Sequence, residues 1–261
     1  MAGERPFSYM ATAVAFGGQT TEPHADLLDV QAATVLPPSG GRGSAHVENY
    51  RYGQVERGGY VEIVSIDSAY SEVLGSKDKE GNRETLTSVT VTGLSIAGVV
   101  RAKKILARLI SIRKPGSDEP PFYHEESRID GLWIKGPEEL KPDPDDELAQ
   151  CDTFTKAVQH HERVKPGALR LTQAMMASRM KGGPFPDVML QMSIFRPLPA
   201  TASSGAKPGE CSIEVPGGTV SLGELEITPF SRRLTMLRVT MRPNLGGVFE
   251  VACVSGDGRE P

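Results

Sequence analysis

One short pattern occurs three times in the chain and constrains the fold more than any other feature. Each copy has an aliphatic residue, a spacer, Gly or Asn, two apolar residues flanking a third position, and a closing Gly. The copies span residues 47–53, 91–98 and 129–136. The Gly or Asn can take a positive φ and bend a strand, while the alternating apolar pair points inward. The pattern predicts a degenerate repeat of strand-turn-strand units, with insertions in the loops.

The segments that follow the first two copies are interpreted as strands. Residues 99–112 also fit a helix, because Val99, Ala102, Leu106 and Leu109 fall on one helical face. Their counterpart, residues 55–66, contains two consecutive glycines and then a β-branched run, which favours a strand. Near the C-terminus, turn residues separate four more predicted strands, residues 211–215, 220–227, 233–241 and 248–254.

Residues 143–183 are the exception and predict a helical hairpin. Asp143 is placed to cap a helix whose first residue is Pro144, and acidic residues follow in the first turn. Pro166-Gly167 then separates this helix from a second one over residues 169–180.

The predicted fold class is therefore mainly β: a degenerate β-repeat, solenoid or sandwich, with an inserted helical hairpin. Periodicity does not separate solenoid from sandwich. With 28 Gly and 20 Pro among 261 residues, many short elements joined by turns are favoured. We expect one β-rich domain over residues 1–261, because a chain of this length buries roughly 70 to 75% of its surface.

Charge and cysteine content narrow the partners and cofactors. A net charge of -4 favours neither nucleic acid nor anionic membranes. The cationic residues of the 99–114 region are interpreted as a solvated strand face: Arg101, Lys103, Lys104, Arg108, Arg113 and Lys114. Three distant cysteines give no metal-site spacing, so no metal or cofactor is predicted. No membrane span or signal peptide is recognisable, and a cytoplasmic location is the default expectation.

Two histidine clusters are the candidates for catalysis. They are His124-Glu125 with the nearby Asp130, and His160 on the first predicted helix. Neighbouring residues on a helix or strand point in different directions, so neither cluster converges by itself on a substrate. Surface polar residues are the simpler interpretation of both.

Aromatic residues in the repeat are the candidates for binding. Trp133 alternates with Leu132 and Ile134, so it is expected to face solvent if they are core. Tyr50 and Tyr52 of the first copy are expected to join it on equivalent repeat faces.

Several of these segments resemble the bacterial choice-of-anchor type of secreted or surface β-repeat proteins. The similarity rests on residues 7–16, 44–52, 88–111, 129–136, 215–222 and 234–239. It implies a display or scaffold role and a secreted or surface location, and it carries over no catalytic residue. The chain departs from that pattern in its high charge, its helical insertion and its lack of a recognisable anchor.

The sequence favours a non-catalytic structural or interaction protein over an enzyme. Stacked β units that present an extended face or assemble edge to edge, as a homo-oligomer, are the leading hypothesis. One alternative is a hydrolase or lyase acting on a carbohydrate or small polar substrate. The other is a carbohydrate- or partner-binding module.

Overall fold

The computed structural model of the protein describes residues 7–22, 24–56, 58–117, 119–164, 189–198, 211–215, 217–241 and 246–259. Strands dominate these ranges. They are β1 (Ser8–Thr20), β2 (Asp26–Val35), β3 (Gly41–Glu56), β4 (Gly59–Lys77), β5 (Arg83–Ile96), β6 (Val100–Arg113), β7 (Phe122–Tyr123), β8 (Arg128–Ile134), β9 (Glu139–Leu140), β10 (Leu190–Ser193), β11 (Ser212–Val215), β12 (Gly218–Ile227), β13 (Ser231–Met241) and β14 (Gly247–Arg259).

The strands form two seven-stranded antiparallel sheets. The first sheet has the order β10-β12-β13-β14-β1-β2, with β11 also paired to β12. The second sheet is mostly a meander of consecutive strands in the order β3-β4-β5-β6-β8-β9, with β7 also paired to β6. Because β1 pairs with β14, the first sheet joins the two ends of the described chain.

The two sheets pack face to face around one core. Buried apolar side chains from both sheets form a single cluster. Phe16 of the first sheet illustrates the contact, since its ring lies 5.7 Å from that of Tyr50 in the second sheet and 6.3 Å from that of Phe249 in its own. The mainly β prediction is confirmed, and of the two architectures that periodicity left open, the structure is a sandwich.

The first copy lies within β3, and the other two run two residues past the ends of β5 and β8. In each copy the Gly or Asn at the third position lies within a strand and not at a turn, so the predicted strand-turn-strand unit is wrong. Asn49, Gly93 and Gly131 occupy β3, β5 and β8 and have φ values of 53°, 64° and 60°. Strand register sets them in one line across alternate strands, with Asp67 and Lys103 on the strands between them. We call Asn49, Gly93 and Gly131 the left-handed row of the second sheet.

The first sheet has its own left-handed row, which the sequence pattern did not reveal. It consists of Ala32 in β2, Gly223 in β12 and Ala252 in β14, with φ values of 43°, 60° and 53°. At both rows the alternation of inward and outward side chains shifts by one residue. In β12, for example, two residues instead of one separate the inward Leu222 from the next inward side chain, Leu225. The shift allows long strands to bend without losing their buried face.

The helical insertion differs in detail from its prediction. Helix α1 (Asp146–Ala149) is capped by Asp145, whose carboxylate accepts the amides of Glu147 and Leu148. The cap is therefore not Asp143, whose backbone carbonyl accepts the Arg196 amide instead. The first predicted helix is divided, because a separate α2 (Phe154–Val164) follows α1.

The second predicted helix, residues 169–180, lies outside the described residues. In the part of the chain that the structure describes, no helix is long and apolar enough to cross a membrane.

Candidate functional site

Trp133 lies on the outer face of the second sheet, as its alternation with buried Leu132 and Ile134 predicts. It is partly exposed, and two cations of β6 lie near its ring. The Arg101 guanidinium carbon is 5.8 Å and the Lys103 ammonium 5.2 Å from the ring centroid. These distances are within cation–π range. We call Trp133, Arg101 and Lys103 the tryptophan platform.

Tyr50 and Tyr52 do not share the surface of Trp133, which corrects the expectation of equivalent faces. Both tyrosines pack against the core between the sheets. Burial, reinforced by nearby acidic groups, raises the pKa of Tyr50 to about 12. The Tyr52 hydroxyl donates to Asp26 Oδ2 at 3.0 Å, which ties β3 to the start of β2. The two tyrosines therefore join the sheets rather than form a binding surface with Trp133.

His124 and His160 are buried, which corrects their interpretation as surface residues. They approach a common carboxylate that the sequence did not suggest. His160 Nε2 lies 3.8 Å from Asp145 Oδ2, and the Asp145 charge also acts on His124. Burial, with a smaller contribution from the nearby Arg232 cation, lowers the pKa of His124 to about 4. The imidazole is thus neutral at ordinary pH.

Arg232 is the least expected member of this buried group. Its guanidinium is 2% exposed and stacks on the Phe122 ring at 4.7 Å. Nη1 donates to the carbonyls of Thr228 and Ser231 at 2.6 and 3.2 Å. Burial lowers the pKa of Arg232 to about 9. Burying a cation in this way is costly unless it is fully hydrogen-bonded.

The buried group is closed to a substrate. Two of its polar atoms, Arg232 Nη2 and His124 Nε2, touch no solvent and have no hydrogen-bond partner in the structure. Glu125 and Asp130 do not join them, since both are exposed and Asp130 pairs with Arg128 at 3.3 Å. The four catalytic candidates therefore do not share an accessible site.

The described residues contain no metal centre. No three of their His, Cys, Asp or Glu side chains are placed together to hold an ion. Cys151, Cys211 and Cys253 are free. Burial raises the pKa of Cys211 and of Cys253 to about 11, which keeps both thiols protonated. Protonated thiols are poor nucleophiles and poor ligands.

A polar groove of about 540 Å³ crosses the outer face of the first sheet. Glu224 and Arg238 line it, and Arg238 Nη1 lies 2.7 Å from Glu224 Oε2. Arg238 also donates to Glu250 Oε1 at 2.9 Å. Burial raises the pKa of Glu224. Arg238 thus forms ion pairs with two carboxylates, whereas the cations of the tryptophan platform have no such pair among the described residues.

The most exposed apolar surface lies on β2, the edge strand of the first sheet. Leu27, Val30 and Val35 are 79%, 57% and 67% exposed. Among the described residues, β2 pairs only with β1, and no strand of these ranges pairs with the other side of its backbone. We call the strand with these three side chains the β2 edge.

The other sheet edges are less open to pairing. β9 has two residues, and β10 and β11 have four each. β3 is long but carries exposed charged residues such as Arg42, Glu48 and Arg51. Short or charged edges discourage strand addition. β2 contains neither lysine nor proline, and its only charged residues are Asp26 and Asp29. The β2 edge is the one long, apolar edge of the described sheets.

These features define an antiparallel β-sandwich protein with an open apolar edge. The chain belongs to the family described as Domain of unknown function (DUF8256), whose model matches residues 7–181. That match includes the second sheet, both helices, β1 and β2, and it ends before β10. No curated protein and no solved structure matches the chain.

Proposed function

We propose that the protein is a structural or interaction protein that associates with a second copy of itself through the β2 edge. The observation that carries the proposal is the exposure of Leu27, Val30 and Val35 on an unpaired edge strand. Adding a strand there would satisfy free backbone groups and cover apolar side chains at once.

The charge pattern of β2 suits an antiparallel pair. If two copies pair about the midpoint between Val30 and Gln31, Asp26 lies opposite Val35 and Asp29 opposite Ala32. No aspartate then faces its own copy, and like charges directly opposite would be destabilising. The left-handed Ala32 also meets an ordinary strand residue, as it already does across β1.

This pairing closes after two copies. A two-fold contact uses the same strand from each copy, so it leaves no second β2 edge free. The resemblance to choice-of-anchor proteins adds a display or scaffold role to this proposal. The hydrolase or lyase alternative gains no support from His124, Glu125, Asp130 and His160, which do not meet at an accessible place.

Solution mass measured by size-exclusion chromatography with light scattering tests the proposal. We expect a dimer of the 28.1 kDa chain that dissociates on dilution. The double variant Leu27→Lys/Val30→Lys should be monomeric, because a partner strand would have to bury the lysines. Tyr60→Lys, which changes an exposed aromatic on β4, should remain dimeric.

Two results would contradict the proposal. One is a wild-type protein that is monomeric at all concentrations, which would mean that the β2 edge binds a different protein and not a second copy. The other is an oligomer that the double lysine variant leaves unchanged.

A further inference from the structure

The cations of the tryptophan platform differ from the other arginines of the second sheet. Four arginines of this sheet lie within ion-pair distance of a carboxylate: Arg42 with Glu72, Arg51 with Asp67, Arg108 with Glu126, and Arg128 with Asp130. Within the described ranges, Arg101 and Lys103 have no such partner and contact the indole instead. Two positive charges without an ion-pair partner among the described residues thus lie beside a partly exposed ring.

The left-handed row holds one of these cations in place. At Gly131, φ is +60°, and a Cβ there would come within 2.7 Å of Lys103 Cγ and Cδ. The missing side chain lets the Lys103 stem lie flat across β8 toward Trp133. A glycine at this position therefore leaves room for the Lys103 stem to reach Trp133.

A carboxylate, that of Glu139, belongs to the strand on the other side of Trp133. Register pairs Arg101 with Trp133, and Trp133 with Glu139 of β9. Neighbouring strands are about 4.8 Å apart, so the Cα atoms of Arg101 and Glu139 are roughly 10 Å apart. It presents a cation, an aromatic ring and an exposed hydrogen-bond acceptor in one line.

We propose that the tryptophan platform binds an acidic saccharide, a sugar that carries a carboxylate or sulfate group. The anionic group pairs with Arg101 and Lys103, the C–H face of the pyranose packs on Trp133, and hydroxyls donate to Glu139. A DNA backbone fits less well, because it carries no hydroxyl groups along its length to donate to Glu139. This site is independent of the β2 edge, which belongs to the other sheet.

The single tryptophan of the chain makes the test direct. Trigalacturonate is titrated while the intrinsic fluorescence is followed, with neutral maltotriose, inorganic sulfate and a single-stranded oligonucleotide as comparisons. We expect a saturable change with trigalacturonate, none with maltotriose, and weaker binding of sulfate alone.

Variants distinguish binding at the tryptophan platform from non-specific attraction to positive charge. Arg101→Gln and Lys103→Gln should each raise the Kd for trigalacturonate at least tenfold. Arg42→Gln, which removes a paired arginine from the same sheet, should leave the Kd within twofold. Trp133→Phe, followed by calorimetry, should weaken binding without changing the thermal unfolding temperature.

Three outcomes would overturn the proposal: no fluorescence change and no heat with trigalacturonate, an unchanged Kd in Arg101→Gln, or tighter binding of the oligonucleotide than of the sugar.

Discussion

The left-handed row of the second sheet is built from two glycines and an asparagine, whereas that of the first sheet is built from two alanines and a glycine. The difference follows from which side chains take the space of a Cβ at each position. In the first sheet, Ala15 lies between Ala32 and Ala252 and has no side chain to lay across them, and Met236 lies between Ala252 and Gly223. At Gly223, Ile194 and Phe195 take the space of a Cβ. In the second sheet, Asp67 and Lys103 lie across Gly93 and Gly131.

The comparison shows that the neighbour, as well as φ, selects the residue at such a position. An alanine in the left-handed region costs roughly 1–2 kcal/mol but is sterically tolerated beside another alanine. A glycine is required where a longer side chain needs the space of the missing Cβ. Four predictions test this difference between the sheets.

Gly93→Val should have the largest effect. A β-branched residue at φ +64° is strained, and its Cβ would overlap the Asp67 carboxylate. We expect a loss of about 4 kcal/mol in the free energy of unfolding, measured by urea denaturation. Gly136→Val is the matched control, because a Cβ at Gly136 would have no atom within 4 Å. Equal losses in both variants would show that the row has no special constraint.

The buried polar group also joins the two sheets, since the Arg232 cation lies in β13 of the first sheet and the neutral His124 directly follows β7 of the second. Unfolding exposes His124, which then takes up a proton below pH 6.5. Stability should be complete above pH 6.5 and fall by about 3 kcal/mol as the pH drops to 4. His124→Gln should flatten this part of the pH profile, while a change at the exposed His46 should not. A profile that His124→Gln leaves unchanged would contradict a neutral, buried imidazole.

Gly131→Ala tests the crowding by Lys103 directly. We expect a loss of about 2 kcal/mol, from strain at φ +60° and displacement of the Lys103 stem. In a Lys103→Ala background the loss should fall to about 1 kcal/mol, because the contacts with Cγ and Cδ are removed and only the backbone strain and the contact with Cβ at 2.9 Å remain. Urea denaturation of the four proteins of this double-mutant cycle gives the coupling. Additive losses would mean that Lys103 is not what excludes a side chain at Gly131.

The sequence predicted the strands better than the sites, and the two rows explain why. In β5 and β8, a glycine directly precedes two alternating inward residues, and the sequence pattern detected both strands for this reason. In the first sheet the left-handed residue directly follows an inward residue, as Ala252 follows Val251, and it is often alanine. The repeat pattern requires a Gly or Asn directly before an inward residue, so it does not detect an alanine directly after one.

The buried polar group was out of reach of sequence patterns for a different reason. His124, Asp145 and Arg232 come from separate elements, and their approach depends on how the two sheets and α1 meet. Local spacing carries no information about such contacts. The orientation of Trp133, in contrast, needed only the alternation of one strand, and it was predicted correctly.

Asn49→Gly should have the smallest effect on the free energy of unfolding, because Asn49 is a position of the row that already accommodates a side chain. Asn49 is exposed at φ 53°, and asparagine adopts this region more readily than other non-glycine residues. Gain from relaxed strain and loss from the more flexible unfolded chain nearly cancel, so we expect a change within about 0.5 kcal/mol. Asn49→Val should cost about 2 kcal/mol, since it restores the β-branched strain without the crowding present at Gly93. A loss above about 1 kcal/mol in Asn49→Gly, measured in urea, would mean that the asparagine side chain itself stabilises β3, and the row would then not be a property of the backbone alone.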